Sequence, residues 1–228
     1  MSATALRPAT PGRDLRRKLR LVVPALADAG DRLIAHEDVR ELYPEYLFVS
    51  HCVIRASVPL MRTARERALA LAGDDPVCAR LAPYLEEHIE EELDHDEWLL
   101  DDLESIGRPR AEILTRPPVP TVAALVGAQY YWVLHHHPVA LLGYIGLLEG
   151  FPPSPAMIDE LRARTGYPES AFRTLVAHAE LDPRHGDELF ALVDELPLTP
   201  EQAAVMGLSG LHSVEMYARA LEEVLARA

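Results

Sequence analysis

Three side chains in the run His178-Ala-Glu-Leu-Asp182-Pro-Arg-His185 commit this segment to a helix and the rest of the chain to packing other helices against it. His178, Asp182 and His185 are spaced i, i+4 and i+7. At about 100° per residue they fall within an arc of roughly 60°, over about two turns. Imidazole and carboxylate donors suit iron, manganese or zinc. Three of them on one face leave a coordination shell open, so further ligands must come from elsewhere in the chain. Pro183 lies inside the motif, where its missing N–H predicts a kink between Asp182 and His185.

The chain of 228 residues is 49% hydrophobic, enough for a sizeable core. Its formal charge of −14 argues against nucleic acid as a partner, since phosphate binding needs clustered Lys and Arg. Cys52 and Cys78 are the only cysteines and form no CxxC motif, which fits a reducing cytoplasm. The segment from Arg16-Arg17-Lys18 has a twin-arginine look, but its apolar stretch is interrupted by Pro24 and ends at Asp28, so it is not read as an export signal. No apolar run reaches the ~18 residues needed to span a membrane. Nothing in the sequence sets the oligomeric state; a homodimer is the default assembly.

Strand signals are weak and helical periodicity runs nearly throughout, which predicts an all-α fold of about seven to nine helices. Residues 1–11 read as a flexible tail and 12–228 as one all-helical domain. Helices are expected over about 13–28, over 36–71 as one or two pieces around Pro44 and Pro59, and from the Asp75-Pro76 cap to about Ile106. Another is expected over 121–149, bent near Pro138, followed by helices over about 155–165, 168–194 and 199–227.

Two further segments offer the missing ligands. His88-Ile-Glu-Glu91-Glu92-Leu-Asp94-His95 lies in an expected helix, where Glu92 and His95 form an ExxH pair. The surrounding acids would alone make a solvated face; opposite the 178–185 run they read as the other half of a site. Glu149 ends the apolar run that starts at Pro138. A carboxylate there opposes the helix dipole and, if buried, needs a cation. Gly143 and Gly146 in the same run would admit a close helix or leave room for substrate. Glu92, His95, Glu149, His178, Asp182 and His185 together make a ligand set for two metal ions, with positions open for O2 and substrate.

These motifs, EExxH at 91–95, LLEG at 147–150 and HxxxDxxH at 178–185, resemble those of the haem-oxygenase-like diiron oxidases and oxygenases, also called iron-containing redox enzymes. The resemblance covers about Tyr46 to Leu196. It implies a haem-oxygenase-like helical fold without haem, two Fe(II) ions, and O2 as co-substrate. It also implies a small-molecule substrate, with N-oxygenation, oxidative carbon–carbon cleavage, desaturation or decarboxylation as outcomes, often in natural-product biosynthesis. One departure stands out. Several members carry the first carboxylate two or more turns before the histidine of the first motif, and at the seven-residue offset this chain has His88. Glu92 or Glu91 then supplies the carboxylate, with His88 an additional or outer ligand; ExxH spacing favours Glu92.

Other readings compete. A ferritin-like dinuclear protein would use the paired Glu92/His95 and Asp182/His185, but His178 and the Asp in place of Glu count against it. A haem oxygenase would need His36 or His51 as proximal ligand. A thiaminase-like hydrolase would need a cysteine nucleophile near mid-chain, and none follows Cys78. A non-catalytic metal- or haem-binding helical protein is the remaining alternative. Of the other histidines, His51 is a pocket-lining or core residue, and the run His135-His136-His137 cannot turn all three rings to one site. Arg55, Arg62 and Arg173 are possible substrate anchors.

Overall fold

Prolines and short polar caps set the helix boundaries. The structure, a computed structural model, describes residues 10–228. It contains α1 (Pro11–Ala35), α2 (Val39–Leu71), α3 (Pro76–Glu92), α4 (His95–Ser105), α5 (Arg110–Thr115), α6 (Pro120–His135), α7 (Leu141–Leu148), α8 (Pro155–Thr165), α9 (Arg173–Glu195) and α10 (Pro200–Leu225). Turns of 3-10 helix at Pro138–Ala140 and Glu169–Phe172 precede α7 and α9. No strand occurs among the described residues, as an all-α fold requires. Five helices, α1, α3, α6, α8 and α10, start with proline in the first turn, where the missing N–H has no partner to lose. Asp75 accepts from Val77 N at 2.7 Å and Cys78 N at 3.1 Å to cap α3. Thr199 and Gln202 close a capping box on α10.

Several expected boundaries shift. Helix α1 starts at Pro11, inside the expected tail, and runs on through Pro24 to Ala35; residues 1–9 of that tail lie outside the described residues. The helix expected over 74–106 is two helices, because Asp94 adopts φ 66°, the left-handed region, between α3 and α4. The helix expected over 121–149 stops at His135 and resumes through a 3-10 turn at Pro138. The α5 helix is six residues long, too short to leave a periodic signal. Pro183 does not end α9, which is helical through it from Arg173 to Glu195.

One apolar cluster runs from Leu15 to Val224 through α1, α2, α3, α7, α9 and α10. Helix α1 lies along α10, α2 along α3, and α10 packs on both α6 and α7. Helix α7 is buried on all sides over Leu141–Leu147, which its unbroken apolar sequence requires. A methyl added at Gly143 would meet Met206 O at 2.1 Å and Gly210 N at 2.6 Å. Gly143 thus serves the close approach of α7 to α10. This packing holds the last residue of α7 at the centre of the bundle.

The start of α9 is anchored by a buried carboxylate from α4. Asp102 is fully buried, and its Oδ2 accepts from Thr174 N at 3.0 Å in the first turn of α9. Burial pushes its carboxyl from the ordinary 3.8 up to about 6. A folded value above the unfolded one means the folded chain holds more protons between those pH values, so stability falls as pH rises through that window. A displacement of that size is worth about 3 kcal/mol. Replacing Asp102 with Asn should flatten this dependence: between pH 4 and 6.5 the variant should lose about 2 kcal/mol less than the parent, read from urea midpoints. Parallel curves for the two proteins would mean that Asp102 ionises as freely folded as unfolded.

Candidate metal centre

Four helix segments meet around Glu92: the last turn of α3, the first turn of α4, the end of α7 and the middle of α9. Glu92 and His95 do not share one helical face, as ExxH spacing on a continuous helix predicts. Glu92 ends α3, the chain reverses at Leu93-Asp94, and His95 opens α4. The reversal still sets His95 Nδ1 3.0 Å from Glu92 Oε2. Aspartate is one of the few residues besides glycine that tolerates the left-handed conformation this needs.

All six expected ligands converge here. On α9, Asp182 and His185 are buried and His178 half-buried. His178 Nδ1 donates to Thr174 O at 2.8 Å, which fixes the ring and leaves Nε2 with a free lone pair. Glu92, His95 and His178 bring one donor atom each within 4.8 Å of one another, and so do His88, Glu92 and Glu149. Glu92 belongs to both trios. His185 and Asp182 stand just outside them: His185 Nδ1 lies 3.6 Å from Glu92 Oε1, and Asp182 feels the charges of Glu149 and Glu92. His95 stacks on Trp98 with centroids 4.0 Å apart and meets the edge of His178 at 5.1 Å.

Glu149 caps α7 and is only 7% exposed. Its position depends on Gly186 of α9, where an added Cβ would lie 2.7 Å from Glu149 O. Glu149 Oε1 lies 2.6 Å from His88 Nε2, a contact that sequence reasoning did not assign. On the outer side, Glu91 lies 3.6 Å from His88 Nδ1 and 3.8 Å from His185 Nε2, and it pairs with Arg184 at 3.0 Å. Glu92 therefore faces inward and Glu91 outward.

The electrostatics are those of a site lacking positive charge. Burial, with the charges of Glu149 and Glu92 beside it, pushes Asp182 up to about 8. Burial likewise raises Glu149, against the pull of His88. Burial would raise Glu92 too, but His95, His88 and His178 hold it below the ordinary range. Burial lowers His178 and His185, favouring neutral rings; His178 keeps a lone pair at Nε2, whereas His185 Nε2 accepts from Arg184 Nη2 at 2.8 Å. Within this cluster Glu149 Oε2, Asp182 Oδ1, His95 Nδ1 and His185 Nδ1 make no well-aligned hydrogen bond, although His95 Nδ1 stands 3.0 Å from Glu92 Oε2. Unsatisfied buried carboxylate oxygens and imidazole nitrogens gathered around Glu92 are what a cation would satisfy, so the residues fit metal ions.

A cavity of about 490 Å³ opens from this cluster. His88, Glu92, Glu149, His178 and Asp182 form its floor, and its walls are apolar side chains such as Leu26, Ile34, Val53, Met61, Phe151 and Met157. It reaches exposed Asp31 and Ser154. No Arg or Lys lines it, so Arg55, Arg62 and Arg173 are not anchors; Arg173 instead pairs with Asp101 at 3.0 Å. His51 is buried but does not line the cavity, and His36 caps α1, so neither proximal-ligand candidate reaches it.

A third group, Asp75, Cys78 and His137, also gathers within 4.8 Å. Here the donors are already used. Asp75 caps α3, and His137 Nδ1 accepts from Val139 N at 3.1 Å, so its Nε2 carries the proton and donates to Asp75 Oδ2 at 3.0 Å. This is a structural clasp between α3, the 3-10 turn and Gln202 of α10.

The family model for iron-containing redox enzymes matches residues 65–217. The chain belongs to that family. Its fold is haem-oxygenase-like. A domain of unknown function with a haem-oxygenase-like fold from Shewanella denitrificans OS217 superposes with a TM-score of 0.79 at 19% identity, covering 94% of this chain and 91% of that one. A CADD-like protein of unknown function from Nostoc punctiforme PCC 73102 gives 0.69 at 14% identity, covering 96% of each chain. A TenA homolog from Pseudomonas syringae pv. tomato DC3000 gives 0.65 at 14% identity, covering 91% and 92%. No curated protein sequence matches this chain. Among the described residues no helix is long and apolar enough to cross a membrane.

The contact between α9 and Glu149 can be tested on two glycines. Gly186→Ala should force α9 from the Glu149 backbone and cost about 1–3 kcal/mol. Gly127→Ala, on an exposed face of α6 with nothing within 4 Å, should instead stabilise by roughly 0.5–1 kcal/mol. Thermal melts of the two variants should move in opposite directions; equal shifts would remove the packing role of Gly186.

Proposed function

We propose that this iron-containing redox enzyme is a non-haem diiron oxidoreductase that uses O2 to oxidise a small molecule with a largely apolar body. One observation carries the reading: Glu92 lies within ligand reach of His95 and His178 on one side and of Glu149 on the other, at the floor of an apolar chamber. Glu92, His95 and His178 would hold one ion. Glu92, Glu149 and His185 would hold the other, with Asp182 as the third carboxylate. Three carboxylate charges then roughly balance two divalent cations. Ferrous iron, when bound, would supply electrons for reducing O2.

The chain's own residues position and protect. Thr174 O sets the His178 tautomer. Asp182 holds a proton at neutral pH until a cation takes its place. The apolar walls exclude water from the floor and fix the substrate by shape. Neither Cys52 nor Cys78 lines the chamber, so a thiol nucleophile has no substrate to attack there. A metal store would have no use for an apolar chamber of about 490 Å³ above its ligands.

Anaerobic titration should load two Fe(II) per chain, and exposure to O2 should produce a new absorption band. Uptake below one iron, or no spectral change with O2, would sink the proposal. Substitution of His178, Asp182 or His185 by Ala should each lower iron content to one per chain or less. Wild-type content in all three variants would remove α9 from the site.

A further inference from the structure

We infer that His88 is a seventh ligand, completing the Glu149 side of the centre as a fourth histidine. The inference rests on the dinuclear reading above and adds a residue to it. His88 sits on α3 one turn before Glu92, is 3% exposed, and aims Nε2 at Glu149 Oε1 from 2.6 Å. Two donor atoms on one ion, each about 2.0–2.2 Å from it, lie no more than about 4.4 Å apart. His88 Nε2 and Glu149 Oε1 are within that limit already. An ion beside this pair could take both atoms after a small separation of the two side chains.

The opposite edge of the ring supports this role. Nδ1 lies 3.6 Å from Glu91 Oε2, and Glu91 is tethered by Arg184 at 3.0 Å. An outer carboxylate on the Nδ1 side leaves Nε2 as the edge aimed into the cluster, the side from which a metal-bound histidine ligates while a carboxylate stands behind it. The ring plane is fixed as well. It stacks on Tyr84 at 5.3 Å and 14°, and meets the edge of His185 at 5.6 Å and 78°. His88 also lines the floor of the cavity, where a bound ion would face substrate. A core histidine held for packing alone would not need two carboxylates, one at each nitrogen.

The test compares wild type with His88→Ala and His88→Gln, loaded anaerobically with Fe(II) and separately with Co(II), whose visible bands report the donors around it. Gln keeps an N–H donor for Glu149 and serves if Ala fails to fold, as judged by the far-UV circular dichroism of the metal-free protein. Wild type should bind two ions. Both variants should keep one and bind the second at least ~10-fold more weakly, with the Co(II) bands of that second equivalent shifted. Two results overturn the inference while leaving the dinuclear centre intact. The first is wild-type affinity for both ions in His88→Gln. The second is a weakened site whose Co(II) bands are unchanged, which would make His88 an outer positioning group. Binding of less than one ion by wild type would instead overturn the dinuclear reading itself.

Discussion

Burying three carboxylates within one bundle is the constraint on which the rest of this structure depends. Glu92, Glu149 and Asp182 come from three different helices and share a low-dielectric space with four imidazoles. Among the described residues no lysine or arginine lines the cavity floor to neutralise them; Arg184 reaches only the outer edge, at His185 Nε2 and Glu91. In the absence of a cation, the chain responds as electrostatics requires: Asp182 takes up a proton, Glu149 leans on His88, and Glu92 leans on His95. An isolated set of buried charges would be a severe liability to folding. The liability is confined to one place, because the unsatisfied groups gather around Glu92 at one end of the cavity.

Two backbone features make that convergence geometrically possible. The left-handed turn at Asp94 lets α3 stop and α4 start in a new direction, so that Glu92 and His95 approach from two helices. Close contact at Gly186 and at Gly143 sinks the end of α7 between α9 and α10. Asp102 then fixes the start of α9 from α4, so the helix bearing three candidate ligands is tied to the helix bearing a fourth. Metal-ligand distances are set by a few tenths of an ångström, and these contacts between backbones are where such precision is available.

Much of this was legible in the residues themselves. The i, i+4, i+7 spacing placed His178, Asp182 and His185 on one face, and α9 stays helical through Pro183 so that the face survives. The ExxH pair named two residues that do lie side by side, but for an incomplete reason. It assumed one continuous helix, whereas the break at Asp94 brings the pair together from two. Nothing local in the sequence announces that break, since aspartate is ordinary in helix starts and its left-handed conformation follows from tertiary packing. Glu91 and Glu92 were likewise inseparable by spacing alone, because neighbouring residues differ by about 100° and only the position of α9 shows which one faces inward. The clasp of Asp75, Cys78 and His137 joins residues about sixty apart in sequence through hydrogen bonds that leave no periodic mark.

The chamber adds a physical restriction on what can reach the floor. Its polar wall groups are largely hydroxyls already paired with one another: Ser57 with Tyr144 at 3.1 Å and Ser50 with Tyr217 at 3.3 Å. A charged group resting against those walls would lose its water without gaining a partner, at a cost of several kcal/mol. A polar end of a substrate would therefore be accommodated at the two extremes of the chamber, beside Asp31 at the surface or beside the candidate ligand cluster at the floor. An anionic end is disfavoured next to Asp31 and is compatible with the floor only when cations are there. The same ions that balance Glu92, Glu149 and Asp182 would in this way also decide which end of a substrate enters first.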